Sequence, residues 1–295
     1  EEGIKMYINE IEHNNIIYSV DMIRLKTSLT YSVFTEIEFR FKTVWNKYIK
    51  KYYTTPQMKQ FFYNYVIEIE ENNSFWFGFC HNNERRSFYE GAEYNFTIEF
   101  NPNKLKDNKI IMYLLNLSGK WYLKSFDLAM DLKININDLI TDTSGRQRNV
   151  VFSYGYDNKT IVLGKGDGRL KIYNKKIESN LNIVGDLTRV EVTREFDDFP
   201  ISDIKMFDFG NIFPNLYLNN YLYSFSDYED KTLLAILYSV QNGFPIKYLT
   251  KTYKKKIKTL LEGGHKIKFD NKSATLVVCK TMFYYFMKNQ KVRWK

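Results

Sequence analysis

Proline, cysteine and histidine are scarce in this chain, and no apolar run in it is long. The only two cysteines among 295 residues, Cys80 and Cys279, lie far apart without metal-type spacing, so neither a disulfide framework nor a zinc knuckle is available. Both are expected as buried free thiols. The three histidines, His13, His81 and His265, stand singly, which leaves no basis for a His metal pair or for a Ser or Cys triad. Apolar stretches such as Ile110 to Leu115 and Leu233 to Tyr238 fall far short of the roughly 20 residues a membrane span requires. The opening Glu1-Glu2-Gly3 is no basic-then-apolar leader, so a cytoplasmic location with no membrane partner is expected. Gly164-Lys165-Gly166-Asp167-Gly168 is superficially like a phosphate loop. It lacks the Lys-Ser/Thr ending and precedes a strand-like segment, which argues against nucleotide binding.

What the chain does have is core-forming material and positive charge. A hydrophobic content of 44% over this length supplies one large domain or two smaller ones. The net charge of +9 favours a polyanionic partner. Because the basic residues sit among aromatics, with no amphipathic anchor, nucleic acid is preferred to an anionic membrane.

Alternation of apolar and polar residues dominates the first three quarters. Tyr18 to Phe41 predicts strands, or a strand followed by a helix. Tyr65 to Glu71 and Ser74 to Phe79 read as a hairpin turning at Asn72-Asn73, and Asn95 to Phe100 as a strand ended by Asn101-Pro102-Asn103. Lys104 to Leu117 suits a helix. Trp121 to Ile136 has period two, and Asn149 to Tyr156, Thr160 to Leu163, Arg169 to Asn174 and Leu187 to Thr193 repeat a short-strand pattern typical of an antiparallel meander. After about Tyr228 the pattern turns helical, at Lys231 to Gln241 and Ile246 to Leu261. The expected fold is α+β: a central antiparallel sheet with covering helices over residues 1–228, and a basic helical module over 229–295.

One block is informative about chemistry. Arg169-Leu-Lys-Ile172-Tyr173-Asn174-Lys175-Lys176-Ile-Glu178 is followed by Arg189-Val190-Glu191 and preceded by Phe126-Asp127-Leu-Ala-Met-Asp131. In order and spacing these residues resemble the signature of the Rep_trans family, the initiators of staphylococcal rolling-circle plasmids and related conjugative-element relaxases. The likeness covers roughly residues 120–260. Two departures are the Gly-Lys-Gly-Asp-Gly turn, where the family often has Ser, and a shorter segment between Glu178 and Arg189.

The resemblance implies a metal-dependent DNA nickase and strand transferase. Tyr173 would attack a phosphate, leaving a 5′-phosphotyrosyl link and a 3′-hydroxyl primer. A phenol with a reference pKa of about 10 is a poor nucleophile near neutrality, so it needs a base or metal and nearby positive charge. On a strand, Lys171, Tyr173 and Lys175 share one face. Mg²⁺ or Mn²⁺ prefers oxygen ligands, and Asp127 and Glu191 are the leading candidates. Asp21 is a third ligand or orienting group. Asp131 ranks lower, because four residues of extended chain separate it from Asp127 by about 13 Å, too far to share one ion without a bulge. Glu178 is a candidate base. Glu191 and Arg189 share a face, with Val190 and Val192 on the other.

Arg169, Lys171, Lys176 and Arg189 are expected DNA contacts. Six lysines fall between Lys247 and Lys258, and on a helix Lys247, Lys251, Lys254, Lys255 and Lys258 would form one broad face for phosphates. The resemblance further implies double-stranded origin DNA and its single-stranded hairpin as partners, a homodimer and a host helicase. A conjugative relaxase, or a DNA-binding protein that has lost cleavage, would share these features.

Overall fold

The computed structural model describes residues 10–45, 49–51, 63–70, 73–79, 94–105, 109–142, 149–153, 159–179, 184–218, 230–241, 244, 246–262 and 266–290. Thirteen strands lie among them: β1 (Glu10–His13), β2 (Ile16–Thr27), β3 (Ile49–Lys51), β4 (Tyr63–Glu70), β5 (Asn73–Phe79), β6 (Phe96–Phe100), β7 (Tyr122–Leu132), β8 (Leu139–Asp142), β9 (Asn149–Ser153), β10 (Lys159–Leu163), β11 (Leu170–Asn174), β12 (Thr188–Pro200) and β13 (Asn215–Leu218). The helices are α1 (Tyr31–Thr43), α2 (Lys109–Asn116), α3 (Lys175–Glu178), α4 (Lys231–Gln241), α5 (Lys251–Glu262) and α6 (Asn271–Gln290). The class is α+β, and every pairing in the large sheet is antiparallel.

Eleven strands form one sheet in the order β3-β4-β5-β6-β2-β7-β12-β11-β10-β9, with β1 beside the first part of β2. Period-two alternation gives this sheet two unlike faces. On one lie Tyr18, Ile23, Leu25, Phe126, Leu128, Met130, Val190, Val192, Leu170 and Ile172, all fully buried. Helices α1, α2 and α6 cover that face, through contacts such as Phe34 stacked on Phe79 with centroids 4.1 Å apart and Tyr285 against Phe100 at 5.1 Å. The opposite face carries Arg24, Glu99, Ser125, Asp127, Asp131, Arg189, Glu191, Thr193, Lys171 and Tyr173, aligned by the same registers. The central strands β2, β7 and β12 thus present a charged row above a dry core.

Several segments differ from the sequence expectations. Strand β12 runs thirteen residues instead of ending near Thr193, with a bulge between Glu195 and Phe199 that lets its polar end continue alongside β7. Lys175 is not on the strand with Tyr173. The side chain of Asn174 accepts from the Ile177 backbone N–H at 3.2 Å and caps α3, so the extended backbone stops there. The segment expected as a helix from Ile246 is broken: Ile246–Tyr248 is a 3-10 turn, and α5 begins only at Lys251. Cys279 is half-buried, its thiol donating to the Ile204 carbonyl at 3.3 Å, and Cys80 lies outside the described residues.

The expected boundary at 228/229 does not follow the cores. A second, smaller cluster joins Ile140 of β8 to Leu233, Leu237 and Val240 of α4, Ile246, and Ile257 and Leu261 of α5, with Tyr217 of β13 against it. Strands β8 and β13 form a separate two-stranded sheet, and Tyr217 of β13 also bridges to Lys266. Helix α6 returns to the main sheet, where Ala274, Val277, Val278, Met282 and Tyr285 are buried. The C-terminal segment is therefore shared between two cores, α4 and α5 joining the smaller and α6 the larger.

Asp270 starts α6 by accepting from the Ser273 backbone N–H at 2.8 Å and its hydroxyl at 2.7 Å. These bonds hold its carboxyl below the usual range. Asp270→Ala is expected to cost about 1 kcal/mol in denaturant unfolding. Since the folded pKa is depressed, the carboxylate's contribution is complete above the unfolded value and disappears as pH falls through the folded one. The difference between wild type and variant should shrink in acid.

Candidate active site

Tyr173 occupies the penultimate position of β11, between the buried Ile172 and the capping Asn174. The register sets Tyr173 opposite Arg189 of β12 and Lys171 opposite Glu191. The phenolic hydroxyl donates to the Glu191 carboxylate on the neighbouring strand. Only 3% of Tyr173 is exposed, yet it lies on the polar face with its oxygen among charged groups. The Lys171 ammonium is 4.0 Å from the ring centroid and that of Lys175 is 5.7 Å away, both within cation–π range. Although α3 takes Lys175 off the strand, the turn folds its ammonium back towards the same ring.

Burial pushes the Tyr173 pKa up, and the adjacent negative charge of Glu191 adds to this, so the resting phenol is neutral. Glu191 is itself raised, first by burial and then by the charge of Asp21. A carboxylate raised in this way is a better proton acceptor than a solvated one.

Asp21 reaches the site through a bulge. Val20 pairs with Leu128 and Met22 with Asp127, leaving Asp21 as the extra residue on β2. Its Oδ1 accepts from Arg189 Nη1 at 2.9 Å and from Asn101 Nδ2 at 3.2 Å. The same guanidinium grips Asp131 in a fork, with Nε and Nη2 each 2.6 Å from a different carboxylate oxygen. Burial disfavours the Arg189 charge, but these hydrogen bonds and the charges of Asp131 and Asp21 outweigh it and raise its pKa. Glu10 on β1 lies at the edge of this group, raised by its own burial and by Asp131.

The remaining expected residues lie farther from the phenol. Asp127 does share a face with Asp131, but it accepts from Thr193 Oγ1 at 2.6 Å and from Arg24 Nη1 at 3.3 Å. Glu178 bonds to Lys175 Nζ at 2.9 Å and Ser179 Oγ at 2.8 Å and is not the acceptor for the phenol. Arg189 is expected as a DNA contact from sequence, but its donors are committed to carboxylates. Arg169 is exposed just before β11, and Lys176 donates to the Gly185 carbonyl at 3.3 Å. Lys251, Lys255 and Lys258 are exposed on α5 and Lys254 is partly buried, while Lys247 lies on the preceding 3-10 turn, off that helix face. Arg24, Thr193 and Asn101 also belong to the network. Nothing in their local sequence marks them, since cross-strand register alone brings them in.

The donor set can be tested against a divalent ion. Glu191 and Asp21 form a half-buried acidic pair whose mutual repulsion a cation would relieve, and Mg²⁺ commonly uses one or two carboxylates completed by water and phosphate oxygens. These two fit. Asp21 is engaged by Arg189 and Asn101 through Oδ1, Asp127 and Asp131 are each held by an arginine, and among the described residues no group of three or more His, Cys, Asp or Glu side chains converges.

Removing Arg189 would leave Asp131, 9% exposed, without its counter-charge. Arg189→Ala is expected to destabilise the protein by about 3–5 kcal/mol, whereas the pairwise replacement Arg189→Met with Asp131→Leu should recover most of that loss. Chemical denaturation of the two variants distinguishes the cases.

Comparison with known proteins finds likenesses among solved structures only. No protein-family model and no curated protein matches the sequence. Among solved structures the chain is similar to a rolling-circle replication initiator protein from Geobacillus stearothermophilus, with 11% identity and a TM-score of 0.35, over 62% of this chain and 76% of that one.

Proposed function

We propose that this protein is a DNA strand-nicking and strand-joining enzyme that initiates rolling-circle replication, with Tyr173 as nucleophile. The observation that carries the reading is the hydrogen bond from the Tyr173 hydroxyl to Glu191, on a polar sheet face with Lys171 and Lys175 at the ring. A phenol held on a carboxylate and flanked by ammonium groups has both a destination for its proton and positive charge near an incoming phosphate.

In the proposed step the phenolic oxygen forms a bond to phosphorus and the bond from phosphorus to the 3′-oxygen breaks. The phenolic proton passes to Glu191, which replaces Glu178 as the base, and the departing 3′-oxygen takes a proton from solvent water to become the 3′-hydroxyl. The 5′-phosphotyrosyl ester retains the bond energy for later joining. Mg²⁺ or Mn²⁺, held by Glu191 and Asp21, would offset charge on the scissile phosphate when bound. Arg189 keeps Asp21 in place beside Glu191. Lys251, Lys255 and Lys258 on α5 are suited to the phosphates of duplex origin DNA, with Lys247 and Lys254 at the margin of that surface. A homodimer and a host helicase complete the proposal.

The test is incubation with supercoiled DNA carrying the cognate origin and Mn²⁺, followed by denaturing electrophoresis. Wild type should give relaxed DNA with protein attached, and chelation of the metal should suppress it. Tyr173→Phe should abolish the adduct while binding persists, and Glu191→Gln should slow nicking by about 10²–10⁴-fold. An adduct that survives in Tyr173→Phe would move the nucleophile elsewhere, and a wild type that binds origin DNA without cutting it would leave a binding protein only.

A further inference from the structure

We infer that the polar face of the β10–β11 hairpin is a track for an extended single strand of DNA, on which Arg169 and Lys171 hold successive phosphates leading to Tyr173, with Lys165 of the glycine turn at its mouth. The inference rests on the nickase reading for its end point only.

The track starts at the glycine turn. Gly164, Gly166 and Gly168 all have positive φ, at 77°, 60° and 73°, a backbone shape that ordinary side chains resist. The turn is fixed to β12: Gly168 N–H donates to the Thr193 carbonyl at 2.8 Å, and Asp167 Oδ1 accepts from the Glu195 N–H and pairs with Arg194 Nε, each at 3.0 Å. A Cβ at Gly166 would approach Glu195 Oε2 to 3.1 Å, so the turn hugs that strand. The acid of the turn is thereby neutralised. Its cations are not: Lys165 and Arg169 are exposed, with no side-chain hydrogen bond or ion pair among the described residues.

Strand geometry sets the spacing. Leu170 and Ile172 are buried, so Arg169, Lys171 and Tyr173 share the polar face, about 7 Å from one to the next. That matches the step between phosphates of an extended strand. Negative charge on one side and its absence on the other set the path. Glu191 and Glu195 line the β12 side and repel phosphates, whereas β10 offers the uncharged Thr160 and Val162 opposite Tyr173 and Lys171. The phenol is recessed in the sheet, so a phosphate reaches it only if the strand lies flat. A backbone wound into a duplex curves away after meeting one or two of the cations.

The experiment uses the full chain carrying Tyr173→Phe, which removes covalent chemistry, and fluorescence anisotropy with labelled oligothymidylate of about a dozen nucleotides. Adding Lys165→Ala and Arg169→Ala should lower affinity at least tenfold at low salt. It should also reduce the slope of log K against log salt by about 1.4, or about 0.7 per lost phosphate contact. Lys165→Arg with Arg169→Lys should retain the slope, and a duplex of the same length should be little affected. An unchanged slope, or an equal loss for duplex, overturns the track. Unaltered thermal melting excludes misfolding, and should the double variant unfold, Lys165→Gln with Arg169→Gln at the same exposed positions is measured instead. Adduct formation by the otherwise wild-type chain is scored separately: a changed slope without any adduct would sink the nickase reading and spare the track, and the reverse would do the opposite.

Discussion

The arrangement depends on a single guanidinium. Arg189 on β12 binds Asp131 on β7 through two oxygens and Asp21 on β2 through a third contact, linking three central strands across the polar face. Such a pair contributes little net stability compared with a well-packed apolar substitute, because both ions must leave water. What it does provide is position. The fork fixes the angle of Asp131, and the third donor holds the bulged Asp21 where its charge reaches Glu191.

From that point the organisation of the site follows outward. Glu191 is crowded by Asp21 on one side and engaged by the Tyr173 hydroxyl on the other, while Asp131 and Asp127 are occupied by Arg189 and Arg24. The acids of this face are thus divided between Asp21, Asp127 and Asp131, each bonded to an arginine, and Glu191, which meets the phenol and feels the charge of Asp21. Tyr173 is correspondingly neutral at rest, and its activation requires either proton transfer to Glu191 or added positive charge. The dry face beneath makes this arrangement rigid. Val190, Val192, Leu170 and Ile172 are fully buried in the main core, so the strands bearing the polar groups cannot slide by one residue without exposing it.

Much of this was legible in advance, for a local reason. Period-two alternation in Trp121 to Ile136, Arg169 to Asn174 and Leu187 to Thr193 identified the strands and put Arg189 with Glu191, and Asp127 with Asp131, on common faces. The same logic failed where the backbone left the strand: Asn174 caps a helix, so Lys175 arrives near Tyr173 through a turn, and the lysine-rich segment is interrupted after Tyr248. The helical character of the C-terminal segment was equally legible, but not that α6 joins the main core, which depends on a distant sheet.

The sequence by itself determined which residues alternate, which face of each strand is charged and where the basic segments lie, because those properties repeat over a few neighbouring positions. Only the tertiary structure decided that Glu191 and not Glu178 meets the phenol, that Arg189 serves carboxylates, and that Asp21 enters through a bulge. Those outcomes depend on register between strands as far apart as the 168 positions separating Asp21 from Arg189. Register is set by how whole strands pair and pack, and no short stretch of sequence contains it.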